Sequence, residues 1–144
     1  MSYITNSDIE ERVGSATLLQ LTDDDGNGVA DAGIVDEARL AAEGEVNSRL
    51  AVRYQTPIDL VAHPDLIDLL ASFTLDLAEY RLRLRRPPVS EDARRRRDHA
   101  VDWLSRVADG RVQLPSSTSV SSRGIGAVVT GAERVLTREE MADV

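Results

Sequence analysis

The chain contains no cysteine among its 144 residues. A disulfide framework, a thiolate nucleophile and a zinc–thiolate site are therefore excluded. No apolar run reaches the roughly 20 residues that a membrane-spanning helix needs, so we expect no membrane partner. The first residues, MSYITNSDIEE, are polar and acidic and do not resemble a secretory signal. A soluble protein of the cytoplasm is the default expectation.

Aromatic residues and lysine are also scarce. Aromatics make up 3% of the sequence against 42% for all hydrophobic residues, so the core must consist mainly of aliphatic side chains. All 17 basic residues are arginine, and 25 acidic residues bring the net charge to −8. This acidic balance disfavours binding of nucleic acid by the protein as a whole.

Hydrophobic periodicity predicts an all-α fold, a small helical bundle around a long central helix. Apolar residues between Pro64 and Arg86 cover most of the helix surface, as expected for a helix surrounded by others. Its polar residues, including Asp76 and Glu79, form a narrow stripe that we expect to face solvent. The apolar seam consists of Leu66, Leu70, Phe73, Leu77, Tyr80 and Leu84.

A second long helix is predicted from Ala32 through Tyr54, with an apolar face formed by Val35, Ala38, Ala42, Val46, Leu50 and Tyr54. Two short helical segments precede it. The first runs from about Asp8 to Val13 with a capping box of Ser7 and Glu10, and the second is capped by Ser15.

A last helix follows Ser90, which is a favourable N-cap, and it ends before Gly110. Beyond that glycine the sequence is rich in Ser, Gly and Thr. We therefore predict a helical domain over residues 1–114 and an extended, flexible C-terminal arm over 115–144 that orders on partners. The apolar residues of the arm that would contact a partner are Ile125, Val128, Val129, Val135 and Leu136.

The stretch TDDDGNGVAD, residues 22–31, partly matches a calcium loop of the EF-hand type. Side-chain or backbone oxygens of Asp23, Asp25, Asn27, Val29 and Asp31 occupy the positions of successive ligands. The position that requires a bidentate Glu carries Ile34 instead. Two interpretations are open, a weak Ca²⁺ site and a metal-free Asx-turn loop that caps the following helix.

Eight arginines flank Pro87-Pro88, at one end of the predicted hairpin of helices. They are Arg81, Arg83, Arg85, Arg86, Arg94, Arg95, Arg96 and Arg97. One interpretation is an interface with an acidic protein, and another is proximity to DNA that passes through a channel. The alternative is a solvated helix end with pairs within helices, such as Glu79 with Arg83 and Asp92 with Arg96.

Enzymatic activity has little support in the sequence. His63 and His99 are the only histidines, and neither has a Ser or Cys nucleophile in its sequence context. The glycines of GIGAVVTG lack the Lys of a phosphate-binding loop. We therefore expect a protein that is not an enzyme.

The order of these features carries a resemblance. From residue 3 to about residue 114 the chain resembles the small head–tail connector (adaptor) proteins of tailed phages, specifically the family typified by Mu-like prophages. The matching residues are Leu21-Thr22-Asp23, Asp25-Gly26-Asn27-Gly28, Asp31, Glu45-Val46, Leu50-Ala51, Arg53-Tyr54, Pro57, Ala78, Tyr80-Arg81-Leu82, Val101, Trp103-Leu104, Ala108 and Gly110.

The resemblance implies an all-α protein that forms a ring, usually of twelve copies, below the portal of the capsid. Such adaptors bind the portal protein and present a platform to a stopper or tail-completion protein, at the neck of the virion. DNA passes through the lumen without sequence recognition. The alternative function is a small calcium-responsive or regulatory protein-binding module built around the Asp-rich loop.

Overall fold

The computed structural model describes residues 2–115 of the chain. The regular elements in this part are all helical, which confirms the all-α prediction. They are α1 (Asn6–Val13), α2 (Ser15–Thr22), α3 (Ala32–Leu50), a single 3-10 turn (Pro64–Leu66), α4 (Ile67–Arg83) and α5 (Glu91–Ala108). The predicted arm and its five apolar residues lie outside the described residues, apart from Pro115.

Helix α4 is the centre of the bundle, because it contacts each of the other four α-helices as well as the 3-10 turn. Leu70 and Leu77 are buried on one side of the helix, and Phe73 and Leu82 are buried on two others, in agreement with an apolar surface that extends over most of the helix. The helix is shorter than predicted, since its first turn is 3-10 and Leu84 lies beyond its end with 49% of its surface exposed.

The predicted polar stripe of α4 is wrong at two positions. Asp76 and Glu79 retain only 7% and 3% of their accessible surface. The neighbouring helices α1 and α5 cover that side of α4 and supply arginines to both carboxylates. Ser72, by contrast, is exposed as expected.

Helix α3 begins at Ala32 as predicted, with Asp31 as its N-cap residue; the Asp31 side chain accepts a hydrogen bond from the Gly33 amide. It ends at Leu50, four residues before the predicted end, since residues 51–53 form a turn. Tyr54 is nevertheless buried, and its hydroxyl accepts a 2.9 Å hydrogen bond from the Leu114 amide. The whole predicted apolar face of α3 is buried: Val35, Ala38, Ala42, Val46, Leu50 and Tyr54.

The N-terminal helix starts earlier than predicted. Thr5 and Asp8, rather than Ser7 and Glu10, form the capping box, and α1 begins at Asn6. Ile4 and Ile9, which take the two positions of a hydrophobic staple around this cap, are both in the core. Burial of Ile4 therefore places the N-cap of α1 at Thr5, two residues before the predicted N-cap Ser7.

The segment before α1 is held against α3 by a buried carboxylate. Glu43 accepts a 3.0 Å hydrogen bond from the Tyr3 amide, and the Tyr3 hydroxyl donates to Asn47 at 2.6 Å. Burial raises the pKa of the Tyr3 hydroxyl. On the neighbouring surface, hydrogen bonds from Asn6 and Arg39 lower the pKa of Asp36.

Ser15 is the first residue of α2 and not its N-cap, which is Gly14. Its hydroxyl donates instead to Glu10 in α1 at 2.8 Å. Leu18 and Leu21 are the apolar side chains of α2 that are buried in the core.

Helix α5 begins as predicted, with the Ser90 side chain accepting a hydrogen bond from the Ala93 amide. Its end at Gly110 is a Schellman motif. Gly110 has φ +79°, its amide donates to Val107, and the Arg111 amide donates to Arg106. The guanidinium of Arg53 fills the space where a Cβ of residue 110 would lie, so the turn that follows α3 and the end of α5 meet closely at this glycine.

Candidate functional site

The two arginine runs lie at the same end of the α4–α5 hairpin. α4 ends at Arg83 and α5 begins at Glu91, so the first run continues into the connecting residues 84–90 and the second lies in the first turns of α5. Because consecutive helices α4 and α5 pack against each other, both runs reach this one end of the bundle. Their role as an interface remains a prediction.

Seven of the eight arginines form ion pairs with carboxylates of the same chain. The pairs are Arg81 with Glu45, Arg83 and Arg96 with Glu79, Arg85 and Arg86 with Asp24, Arg95 with Glu91, and Arg97 with Asp98. The eighth, Arg94, is exposed. The cluster is therefore mostly neutralised within the fold, and it is not a continuous cationic surface.

The arginine cluster and the Asp-rich loop, which sequence analysis treated separately, are in contact in the structure. Asp24 forms ion pairs with Arg85 and, at 3.1 Å, with Arg86. The Nε of Arg85 also donates to the carbonyl of Leu21 at 3.0 Å. That carbonyl belongs to the last turn of α2, where a cation is favoured by the helix dipole. The two arginines thus fasten the loop and the end of α2 to the end of α4.

The Asp-rich loop is organised by its own backbone amides. The carboxylate of Asp23 accepts hydrogen bonds from the amides of Asn27 at 3.1 Å and Gly28 at 3.0 Å. The side chain of Asn27 accepts one from Val29 at 2.9 Å. This is the Asx-turn arrangement of the second interpretation. Asp25, Asn27, Val29 and Asp31 are exposed.

No group of three or more His, Asp or Glu side chains within residues 2–115 is arranged to hold a metal ion. The weak Ca²⁺ site of the first interpretation would also use amide and backbone oxygens, so the arrangement of these side chains does not test it.

A buried ionic cluster was missed by sequence reasoning. Glu79 accepts hydrogen bonds from Arg83 at 2.8 Å and from Arg96 at 3.0 and 3.1 Å. Arg12 of α1 approaches the same carboxylate at 3.5 Å and hydrogen-bonds Asp76. The cluster connects α1, α4 and α5. Glu79 and Arg83 were the predicted pair within α4, whereas Arg96 pairs with Glu79 and not with Asp92 as predicted.

Desolvation decides the protonation behaviour of Asp76. Burial raises the pKa of its carboxyl, and the nearby charges of Arg12 and Arg96 only partly oppose that rise. The native structure therefore favours the protonated form of Asp76 more than the unfolded chain does. Its neighbour Glu79 receives hydrogen bonds from two arginines, Arg83 and Arg96, whereas Asp76 receives one from Arg12.

A cleft of about 220 Å³ opens between α3 and the C-terminal end of α4. Its lining combines aliphatic side chains with two arginines and one glutamate: Ile34, Glu37, Ala38, Ala41, Arg81, Leu82, Leu84 and Arg85. We call it the arginine-rimmed cleft. It adjoins the end of the hairpin that carries the arginine cluster.

The two histidines lie on different segments of the fold. His63 precedes the 3-10 turn as its N-cap residue, and His99 lies on α5, where its ring centroid is 6.2 Å from that of Phe73. Trp103 packs closer to the same phenylalanine, at 4.8 Å.

Within residues 2–115, none of the helices combines the length and apolarity required to cross a bilayer.

A comparison with protein-family models finds a match over most of the chain. Residues 3–129 match the family model described as "Bacteriophage Mu, Gp36". The match covers the helical domain and continues into the C-terminal segment. No curated protein matches the chain significantly.

Proposed function

The chain belongs to the bacteriophage Mu Gp36 family, and we propose that it is a structural head–tail connector (adaptor) of a tailed phage or phage-like particle. Family membership makes it a phage protein with a structural or assembly role. The finer role is our proposal: a ring, usually of twelve copies in such adaptors, below the portal. The family match over residues 3–129 is the observation that carries it.

The charge distribution supports a role beside passing DNA. The chain carries a net charge of −8, and most of its clustered arginines are engaged by carboxylates such as Asp24, Glu45 and Glu79. A lumen built from such a surface would attract phosphates weakly, so DNA could slide through it without sequence recognition.

The proposed partners follow from the position in the particle. The portal protein would lie on one side of the ring and a stopper or tail-completion protein on the other. The chain would reside in the virion neck and, during assembly, in the host cytoplasm. Exposed Arg94 and Arg95, together with the C-terminal segment 115–144, are the proposed contacts with neighbours.

The contacts of the Asp-rich loop weigh against the calcium-responsive alternative. Asp24 is fixed by Arg85 and Arg86, and Asp23 by backbone amides of its own loop. Such a loop has a structural task, because it joins α2 to the end of α4.

Reversal of charge at the hairpin end tests the proposed interface. We expect Arg94→Glu/Arg95→Glu to retain full helicity by circular dichroism and to lose joining of heads to tails in an assembly assay. The matched control is Arg106→Glu, which removes a similarly exposed arginine near the other end of α5. Normal joining by the hairpin-end variant would contradict this part of the proposal.

A further inference from the structure

The three asparagines of the chain differ in the residue that follows them and in their place in the fold. Asn6 and Asn47 lie within α1 and α3, and each is followed by a serine. Asn27 lies exposed in the Asp-rich loop and is followed by Gly28. An asparagine side chain loses ammonia when the backbone nitrogen of the next residue attacks it. Glycine in that next position hinders the attack least, because it has no Cβ.

The hydrogen bonds of the loop bring together the groups that this reaction needs. The side-chain oxygen of Asn27 accepts a hydrogen bond from the Val29 amide at 2.9 Å, so the side-chain carbonyl lies alongside the intervening peptide of Gly28. The same donor would stabilise the negative charge that the attack places on this oxygen. The Gly28 amide donates at 3.0 Å to the carboxylate of Asp23, a base in position to accept its proton.

Gly28 also leaves room for a cyclic intermediate. No heavy atom lies within 4 Å of the position that a Cβ of this residue would take. Its φ of +77° is a conformation that residues with a side chain adopt only with strain. Because Asn27 is exposed as well, water can reach the ring and ammonia can leave.

We propose that Asn27 is a self-modification site, at which the loop converts asparagine into aspartate and isoaspartate through a succinimide with Gly28. The Gly28 nitrogen bonds to Cγ of Asn27, and its proton passes to Asp23. The bond from Cγ to the side-chain nitrogen then breaks, and this nitrogen takes up a proton and leaves as ammonia. Water opens the ring at either carbonyl, so the net change is gain of water and loss of ammonia.

The two helical asparagines lack this arrangement. A helical ψ turns the nitrogen of the next residue away from the side-chain carbon. Both side chains are also held by other segments of the chain: Asn6 donates to Asp36 and accepts from Arg39, and Asn47 accepts from the Tyr3 hydroxyl. They are therefore internal controls for the loop asparagine.

The modification would loosen the contact between the loop and α4. It adds a negative charge to the loop, and the isoaspartate form inserts an extra carbon atom into the main chain after residue 27. The amides of residues 27 and 28 would then no longer both reach the Asp23 carboxylate. Since Asp24 of the same loop pairs with Arg85 and Arg86, we expect the modified chain to hold α2 less firmly against the end of α4.

Peptide mapping of the aged, full-length protein tests the proposal. Cleavage after arginine places the three asparagines on separate peptides, residues 1–12, 13–39 and 40–49. During incubation at mildly alkaline pH, the mass gain from replacement of NH2 by OH should accumulate in peptide 13–39 at least about ten times faster than in the other two. No gain in peptide 13–39, or equal gains in all three peptides, would overturn the proposal.

Substitutions identify the groups that react. Asn27→Gln should abolish the gain in peptide 13–39, because the longer side chain must close a larger and less favourable ring, whereas the matched control Asn47→Gln should leave it unchanged. Asp23→Ser keeps a side-chain oxygen but removes the base, so it should slow the gain several-fold while circular dichroism shows full helicity. A continued gain in Asn27→Gln, or an unchanged rate in Asp23→Ser, would contradict the proposed step. Both measurements use the purified chain, so their outcome is independent of the connector proposal.

Discussion

Replacing Glu79 by Gln removes the central negative charge of the buried cluster while keeping the size of the side chain. Glu79 is 3% exposed and receives hydrogen bonds from Arg83 and Arg96, with Arg12 at 3.5 Å. After the substitution Asp76 is the single carboxylate among these three arginines. The change therefore breaks interactions that connect α1, α4 and α5.

The expected cost follows from burial on each side of the pair. Removal of one partner of a fully buried ion pair costs about 3–5 kcal/mol, since the other charge is left without compensation. Here the arginines retain 27–40% of their side-chain exposure and can turn partly toward water. We therefore expect Glu79→Gln to lower the free energy of unfolding by about 2–4 kcal/mol.

Urea unfolding of the full chain measures this difference. Circular dichroism and the fluorescence of Trp103, the single tryptophan, should report the same transition. With a slope of roughly 1.5 kcal/mol per molar urea, a loss of about 3 kcal/mol lowers the midpoint by about 2 M.

The matched control is Glu91→Gln, which breaks the exposed pair with Arg95, whose partners are 72% and 74% exposed. An exposed pair contributes about 0–1 kcal/mol, so the control should differ little from the original protein. Equal and small effects of Glu79→Gln and Glu91→Gln would refute the structural role of the buried cluster.

Three further predictions concern pH, backbone conformation and calcium. The folded state raises the pKa of Asp76, so protonation of this carboxyl stabilises the fold below the pKa of the unfolded chain, and the contribution is lost as pH rises through the folded pKa. On acidification from pH 7, the original protein should therefore gain stability relative to Asp76→Asn. A relative loss of stability in parallel urea titrations would contradict this sign. Gly44→Ala in α3, with no heavy atom within 4 Å of the new Cβ, should stabilise the protein by about 0.5–1 kcal/mol. Gly110→Ala, at φ +79° and against the Arg53 guanidinium, should destabilise it by about 1 kcal/mol or more. Thermal melts in which both variants shift the melting temperature in the same direction would contradict this contrast. Calcium titrated calorimetrically into chelator-treated protein should release no heat at millimolar ion, because Asp23 already binds the amides of Asn27 and Gly28; saturable heat would establish a cation site.

The helix faces could be predicted from sequence because periodicity reports burial directly. Every predicted apolar position of α3 is buried, and α4 contacts all other helices, as its apolar surface indicated. The N-cap at Ser90 and the C-terminal Gly110 were also confirmed, since these residue types have few other roles at helix ends.

The first cap was wrong because two overlapping patterns compete. Thr5 with Asp8 and Ser7 with Glu10 both have capping-box spacing, and burial of Ile4 and Ile9 accompanies the earlier one. The hydrophobic staple separates the two patterns locally, because a Ser7 cap would place the polar residues Asn6 and Glu11 at the staple positions.

The buried ionic cluster could not be predicted from α4 alone. Asp76 and Glu79 lie on what is the solvent side of an isolated helix, and their partner Arg12 is more than 60 residues away. The signal in the sequence was limited to the run Arg94–Arg97 on α5 and to Arg12, the one basic residue of α1. The ion pairs of Asp24 with Arg85 and Arg86 also depend on tertiary packing. Sequence analysis identified the Asp-rich loop and the arginine cluster but could not show that they meet.

The most direct measurement of the central claim is imaging of intact particles that carry this chain, with averaging of the head–tail junction. The connector proposal predicts a ring of this helical domain directly below the portal, with deletion of its gene yielding heads that fail to join tails. A junction complete without this chain, or its density elsewhere in the particle, would contradict the proposal.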